Sequence, residues 1–95
     1  MKIYVVMGTT GEYSDEIEWA VKAFRVLGDA EKHILLATQK ANEFVAHGGD
    51  GVELDMLNRA EIEKINPYDP DMQMCFYINE TSYFYYEVEL VEEAK

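Results

Sequence analysis

The sequence has a single cysteine, two prolines and no long apolar run, and each shortage excludes a class of protein. Cys75 has no second cysteine to pair with, so an internal disulfide and cysteine-rich metal sites are excluded. No stretch approaches the ~18 consecutive apolar residues of a membrane-spanning helix, and no signal-peptide cleavage pattern follows the N-terminal apolar residues. We therefore expect a soluble, cytoplasmic protein in which Cys75 is an inert thiol.

Basic residues are also few, because eight Lys and Arg stand against nineteen Asp and Glu and give a formal net charge of -11. Hydrophobic residues make up 48% of the chain and aromatic residues 13%, which is typical of a folded protein and not of acidic disorder. Residues 1–95 are thus predicted to form one domain with a modest core. Its negative surface would repel phosphate backbones and attract basic proteins, so direct binding of nucleic acid is not expected.

Local patterns predict an α+β fold, in which one main α-helix and a short second helix pack on one face of an antiparallel β-sheet. The helix at 29–47 is the clearest element, with Asp29 as its N-cap and Gly48-Gly49 at its left-handed end. A turn is expected at Gly8–Gly11. The remaining predicted elements are a strand at 2–7, a short helix at 54–65, and strands at 72–78 and 83–91 joined by a hairpin.

The strand at 83–91 shows the cleanest alternation of apolar and polar residues. Its apolar set is predicted to face the core, and this set consists of Phe84, Tyr86, Val88 and Leu90. Its second set is predicted to face solvent, and this set consists of Tyr83, Tyr85, Glu87 and Glu89.

Residues 13–27 fit two structures. As a helix, the segment has a cap at Ser14 and an apolar stripe that includes Ile17, Val21 and Phe24. As a strand, it alternates, with Trp19 and Val21 on one face. The local signals slightly favour the helix.

Several short motifs occur in a characteristic order, and they resemble a family of small, functionally uncharacterised proteins encoded by bacteriophages and prophages. The motifs are Gly11-Glu12-Tyr13-Ser14-Asp15 after an N-terminal strand, Asn66-Pro67-Tyr68-Asp69-Pro70, Met72-Gln73-Met74, and the closing Thr81-Ser82-Tyr83 with Glu87-Val88-Glu89-Leu90. The resemblance implies that residues 16–26 form a second strand, against the local signals. It implies no catalytic residue.

Motifs for catalysis, metals and cofactors are incomplete. Gly8 and Gly11 follow a strand without a full phosphate-binding signature, and no nucleophile elbow accompanies Ser14. His33 and His47 are fourteen residues apart on one predicted helix, which separates them by about 21 Å and prevents them from sharing an ion. We therefore predict a non-enzymatic protein with no metal and no cofactor.

The acidic residues group into three clusters, and they serve either to keep the fold soluble or to form a docking face for an Arg- and Lys-rich protein. In the second case Tyr68 and Tyr85 are the expected aromatic anchors. The carboxylates predicted to bind the partner are Glu12, Asp15, Glu16, Glu18, Asp50, Glu53, Asp55, Asp69 and Asp71.

Charge and the phage resemblance together favour one function, namely an inhibitor of a host nucleic-acid-binding defence complex. Such an anti-CRISPR-like protein, a monomer or homodimer in the host cytoplasm, would present carboxylates where phosphates bind. The alternative is a small-molecule or nucleotide-binding module, or a small enzyme, with Gly8–Asp15 and Asn66–Asp71 as pocket walls. A phage structural or assembly accessory is a third hypothesis.

Overall fold

A computed structural model describes residues 1–11, 16–48, 54–74 and 80–91. Most of the strand predicted at 72–78, together with Cys75, lies outside these ranges; its first residues, 72–74, are not in a strand. Among the described residues, no helix is both long enough and apolar enough to cross a membrane.

Three described strands form the sheet, namely β1 (Lys2–Thr10), β2 (Ile17–Phe24) and β3 (Thr81–Glu89). Their order is β2-β1-β3, and both pairings are antiparallel. The prediction of a turn that starts at Gly8 is wrong, because β1 continues through this residue to Thr10. Gly8 lies opposite Trp19, and a Cβ atom there would come within 2.4 Å of the indole ring. Glycine is therefore required here for close packing and not for a turn.

The segment that fits both a helix and a strand is a strand. β2 confirms the strand that the family resemblance implies at 16–26 and overturns the local preference for a helix. Pairing with β1 satisfies the backbone groups that β2 directs toward it, and an irregularity opposite Val6 and Met7 shifts the register. Val21 packs against the core cluster and Trp19 reaches a distant carboxylate, as described below.

Two helices follow the hairpin. α1 (Leu27–Ala46) begins two residues before the predicted start; its N-cap is Val26, and Asp29 lies in the first turn without capping it. Gly48 has the expected positive φ, 88°. The predicted helix at 54–65 is instead a 3-10 turn at Leu54–Met56 followed by α2 (Arg59–Ile65). α2 begins there because Asn58 and Glu61 form a capping box.

α1 packs on one face of the sheet, which confirms the predicted α+β class. Its buried contact residues are small, Ala37 and Ala41, so the helix axis approaches Tyr83 of β3 closely. Leu54, Ile62 and Met72 complete the buried cluster. We call this side of the sheet the covered face; its members include Val6, Gly8 and Thr10 of β1 and Thr81 and Tyr83 of β3.

The predicted orientation of the last strand is wrong. Tyr83, expected in solvent, is 8% exposed beneath α1, whereas Tyr86, expected in the core, is 45% exposed. Residues paired across antiparallel strands share a face, so Phe84, Tyr86 and Val88 lie with partners from β1 on the opposite side of the sheet. We call this side the open face; its members are Phe84, Tyr86 and Val88 of β3 with Ile3, Val5 and Met7 of β1.

Candidate functional site

The irregular loop at Asn66–Asp71 carries a buried carboxylate at the covered face. Asp69 has no exposed surface. Its Oδ2 atom accepts hydrogen bonds from the Tyr83 hydroxyl at 2.7 Å and from Trp19 Nε1 at 3.0 Å. Its Oδ1 atom accepts from the backbone N–H of Asp71 at 3.2 Å. The carboxylate therefore joins the loop to two strands of the sheet.

Asn66 makes a second set of contacts in the same buried network. Its Nδ2 group donates to the carbonyl oxygen of Ala37 at 3.1 Å and to the Tyr83 hydroxyl at 3.3 Å. Its Oδ1 atom accepts from the N–H of Tyr68 at 3.1 Å, which closes the turn of the loop. The Tyr83 hydroxyl accepts from Asn66 and donates to Asp69, so it connects β3 to the loop, and Asn66 in turn connects the loop to α1.

Burial raises the pKa of Asp69, and the hydrogen bonds from Tyr83 and Trp19 offset only part of this effect. Burial also raises the pKa of Tyr83, and the adjacent carboxylate adds to the shift. A shifted pKa marks a catalytic group only where substrate reaches it, and neither side chain is open to solvent. The network holds the loop in place.

Two of the predicted docking residues lie in this loop, and both are less exposed than predicted. Asp69 was expected on the surface beside Asp71, but it is wholly buried and offers no carboxylate to a partner. Tyr68 is half-buried, with its ring packed edge-on against the ring of His33. The Tyr68 carbonyl oxygen also lies 2.7 Å from His33 Nε2, which indicates an N–H donor at that nitrogen.

The two histidines lie apart, as expected from their spacing. His33 packs between Phe24 and Tyr68, while the Nδ1 atom of His47 lies 2.7 Å from the carbonyl oxygen of Glu43 at the end of α1. Within the described ranges, no group of three or more His, Cys, Asp or Glu side chains is placed to hold a metal ion.

Exposed carboxylates meet at the end of the sheet where β1 finishes. Thr10 pairs with Ile17 on one side and with Thr81 on the other, and its hydroxyl donates to the carbonyl oxygen of Glu80. Glu16, Glu18 and Glu80 therefore lie at this end; all three are exposed. The described segments that meet there, 8–11, 16–18 and 80–82, contain no Lys or Arg. We call Glu16, Glu18 and Glu80 the acidic end.

Four carboxylates elsewhere in the described part of the chain lie in ion pairs, among them Glu43 with Lys40 at 3.3 Å, whereas Asp29, Glu31, Glu61 and Glu63 form no ion pair with a described residue. At the other end of β3, Glu87 pairs with Lys2 at 3.5 Å and Glu89 with the N-terminal amine at 2.9 Å. Asp71 pairs with the Nε atom of Arg59 at 3.0 Å. These pairs are solvent-exposed and contribute little to stability, but they neutralise the local potential.

A second surface feature lies between α1 and β3. It is an open groove of about 510 Å³, lined by Glu31, Ile34, Leu35 and Thr38 of α1 and by residues 83–85 of β3. The four helical residues occupy positions i, i+3, i+4 and i+7, so they form a single stripe. Leu35 and Tyr85 are 57% and 38% exposed.

The predicted docking residues whose side chains are described divide into three groups. Glu16, Glu18, Asp71 and Tyr85 are exposed, Tyr68 is half-buried and Asp69 is buried. The side chains of Glu12, Asp15, Asp50, Glu53 and Asp55 lie outside the described part of the structure. Glu80, Glu31 and Leu35 were not predicted from the sequence. The available signal for Glu80 was its position in the predicted hairpin connection, which places it at an end of the sheet.

No protein-family model, curated protein or solved structure matches this chain. The function proposed next rests on charge, burial and contacts within the chain.

Proposed function

We propose that this chain is a non-enzymatic interaction protein that binds the basic surface of a nucleic-acid-binding protein through its acidic end. The supporting observation is the placement of Glu16, Glu18 and Glu80 at one end of the sheet, where the described segments carry no basic residue. Unpaired carboxylates on a body of net charge -11 attract a cationic groove and repel nucleic acid.

The rigidity of this end supports a docking role. β1 pairs with both neighbouring strands up to Thr10, and the Thr10 hydroxyl holds the carbonyl oxygen of Glu80. Glu18 lies on a paired strand, and Glu16 and Glu80 each directly precede one. Residues held in this way lose less conformational freedom on binding than residues on a free loop, so more of the electrostatic attraction contributes to affinity.

The narrower form of the proposal is an inhibitor of a host nucleic-acid-binding defence complex, of the anti-CRISPR type. The negative charge and the sequence resemblance to phage-encoded proteins support it. In this form the carboxylates of the acidic end occupy a groove that otherwise binds phosphates, and the inhibitor competes with nucleic acid for the same cations.

Capture from a bacterial lysate tests the proposal. The immobilised chain is expected to retain basic nucleic-acid-binding proteins at about 0.1 M salt and to release them at about 1 M salt, where the Debye length falls to ~3 Å. Duplex DNA added at low salt should also release them, because DNA and the acidic end compete for one groove. The chain itself should not shift duplex DNA in a gel.

A charge-matched pair of variants makes the test specific to the acidic end. The triple variant Glu16→Gln, Glu18→Gln, Glu80→Gln should lose the captured proteins. The control Asp29→Asn, Glu43→Gln, Glu63→Gln has the same net charge, its substitutions are exposed, and it should keep them. Equal loss in the two variants, or capture that DNA does not displace, would contradict the proposal.

A further inference from the structure

We propose that the outer edge of β3, together with the groove beside α1, binds an extended basic segment of a partner protein as an added β-strand. This surface is distinct from the acidic end, so the inference does not depend on the function proposed above. Three features of the structure support it: an edge with no strand neighbour among the described residues, the groove that borders it, and the charge beside it.

The sheet leaves one side of β3 without a strand neighbour among the described residues, since the order is β2-β1-β3. The N–H of Leu90 donates to the carbonyl oxygen of Met1, so the even-numbered residues direct their backbone groups toward β1. Neighbouring residues in a strand direct these groups to opposite sides. The N–H and C=O groups of Tyr83, Tyr85 and Glu87 therefore point away from β1, toward the side on which an added strand would pair.

The side chains of the same three residues point toward α1. Along a strand, the direction of the backbone groups and the direction of the side chains both alternate from one residue to the next. An added strand would thus insert alternate side chains between β3 and the stripe formed by Glu31, Ile34, Leu35 and Thr38. Exposed apolar side chains, Leu35 and Tyr85, provide the contact surface. A groove of about 510 Å³ has the volume of recognised ligand sites, which are about 300–1,000 Å³.

The charges along this edge select a basic segment. Glu31 is exposed and belongs to none of the ion pairs in the described part of the chain, whereas Glu87 and Glu89 are paired with Lys2 and the N-terminal amine, so Glu31 carries the negative charge beside the groove. A second copy of the chain would bring another net charge of -11 to this edge, which opposes self-association. A segment that alternates apolar residues with Lys or Arg fits both the groove and the charge.

β3 also lacks the usual protection of an edge strand. Natural edges are blocked by proline, lysine or a bulge, and β3 contains no proline or lysine and pairs with β1 without a register shift. The carboxylate of Glu31 beside this edge disfavours an acidic strand and favours a basic one.

Titration of the isotopically labelled full chain with a synthetic peptide tests the inference by NMR. The probe is an end-blocked hexapeptide that alternates valine and lysine. We expect saturable shifts of the Tyr83, Tyr85 and Glu87 amides, smaller shifts of the Phe84 and Tyr86 amides, and shifts along the groove-facing stripe of α1. Peptide-to-protein backbone contacts across Tyr85 should appear in nuclear Overhauser spectra.

Two control peptides separate strand addition from charge attraction. N-methylation of alternate residues removes the backbone donors that strand addition needs, and it should abolish binding while leaving the charge unchanged. Replacing each lysine with glutamate should also abolish binding. Retained binding of the methylated peptide would overturn the inference.

Substitutions on α1 complete the test. Leu35→Glu makes the protein more negative, so attraction by charge alone predicts tighter binding, whereas groove docking predicts a Kd about tenfold weaker. Glu31→Gln should weaken binding about two- to fivefold, and the exposed control Glu63→Gln should leave it unchanged. Tighter binding by Leu35→Glu, shifts confined to Glu16, Glu18 and Glu80, or no saturable shift at millimolar peptide would each overturn the inference.

Discussion

The two faces of the sheet differ in the polar side chains that they bury. The covered face encloses three hydrogen-bonding side chains, Asn66, Asp69 and Tyr83, against α1. The open face presents apolar side chains such as Phe84 and Val88, which stay partly exposed. Burial in this protein therefore follows the hydrogen bonds that the loop at Asn66–Asp71 makes.

This difference has an energetic consequence. Every buried side-chain nitrogen and oxygen in the described structure has a hydrogen-bond partner. Removing one member leaves its partners buried and unsatisfied, which costs about 1–3 kcal/mol for each group. A side chain on the open face leaves no such group behind when it is changed. Stability should therefore be sensitive to the polar network and tolerant at the open face.

The largest effect is expected for Asp69→Ala. The change leaves the Tyr83 hydroxyl and the Trp19 indole N–H without their acceptor, so the free energy of unfolding should fall by about 3 kcal/mol or more. Denaturant unfolding followed by tryptophan fluorescence measures it. The control Asp71→Ala removes an exposed ion pair and should cost less than about 1 kcal/mol. Equal costs would contradict the role of the network.

One substitution made on both faces of β3 compares them directly. Tyr83→Phe removes a hydroxyl that accepts from Asn66 and donates to Asp69, and it should cost about 2 kcal/mol. Tyr86→Phe removes an exposed hydroxyl and should change the free energy of unfolding by less than about 0.5 kcal/mol. Thermal and denaturant unfolding measure both costs. A larger cost for Tyr86→Phe than for Tyr83→Phe would contradict the comparison.

Close packing of the covered face predicts a third effect, at Gly8. A Cβ atom there would meet the Trp19 ring at 2.4 Å, so Gly8→Ala should destabilise the protein by about 1–3 kcal/mol. Gly28 is exposed near the start of α1, and a Cβ atom there meets nothing within 4 Å. Gly28→Ala should therefore stabilise the helix by up to about 1 kcal/mol. Circular dichroism melting curves would refute the packing argument if both changes had the same sign.

These contrasts show what local sequence patterns predict and what they do not. The period of apolar residues in α1 and the alternation in β3 identify both elements, because each pattern involves near neighbours only. Alternation defines two faces of β3 but does not say which one is covered. Which face is covered depends on the contacts of Asp69, whose hydrogen-bond donors Tyr83 and Trp19 are 14 and 50 residues away in the sequence.

The sequence likewise predicts some residues of the candidate surfaces and not others. Glu16 and Glu18 were predicted from their density in one segment, and the structure leaves both exposed. Asp69, in the motif Asn66-Pro67-Tyr68-Asp69-Pro70, looked like a solvated turn residue because aspartate next to proline is typical of turns. The groove was not predicted because it requires α1 to lie beside Tyr85 with Leu35 facing outward. No local pattern specifies that arrangement.

The smallest effect concerns pH. Burial raises the folded-state pKa of Asp69 above its unfolded value, so between these two pKa values the folded state binds the proton more than the unfolded state does. The stability gained from preferential protonation of Asp69 in the folded state is then fully present below the unfolded pKa, ~3.9, and is lost as pH rises through the folded pKa. Asp69→Asn cannot titrate, so the stability of the native chain relative to this variant should rise as pH falls from neutral toward 4.

Denaturant unfolding of both proteins across this range measures the difference. Because the remaining carboxylates are common to both proteins, the effect of their titration largely cancels. A relative stability that falls on acidification would mean that hydrogen bonds from Tyr83 and Trp19 outweigh the burial of the charge.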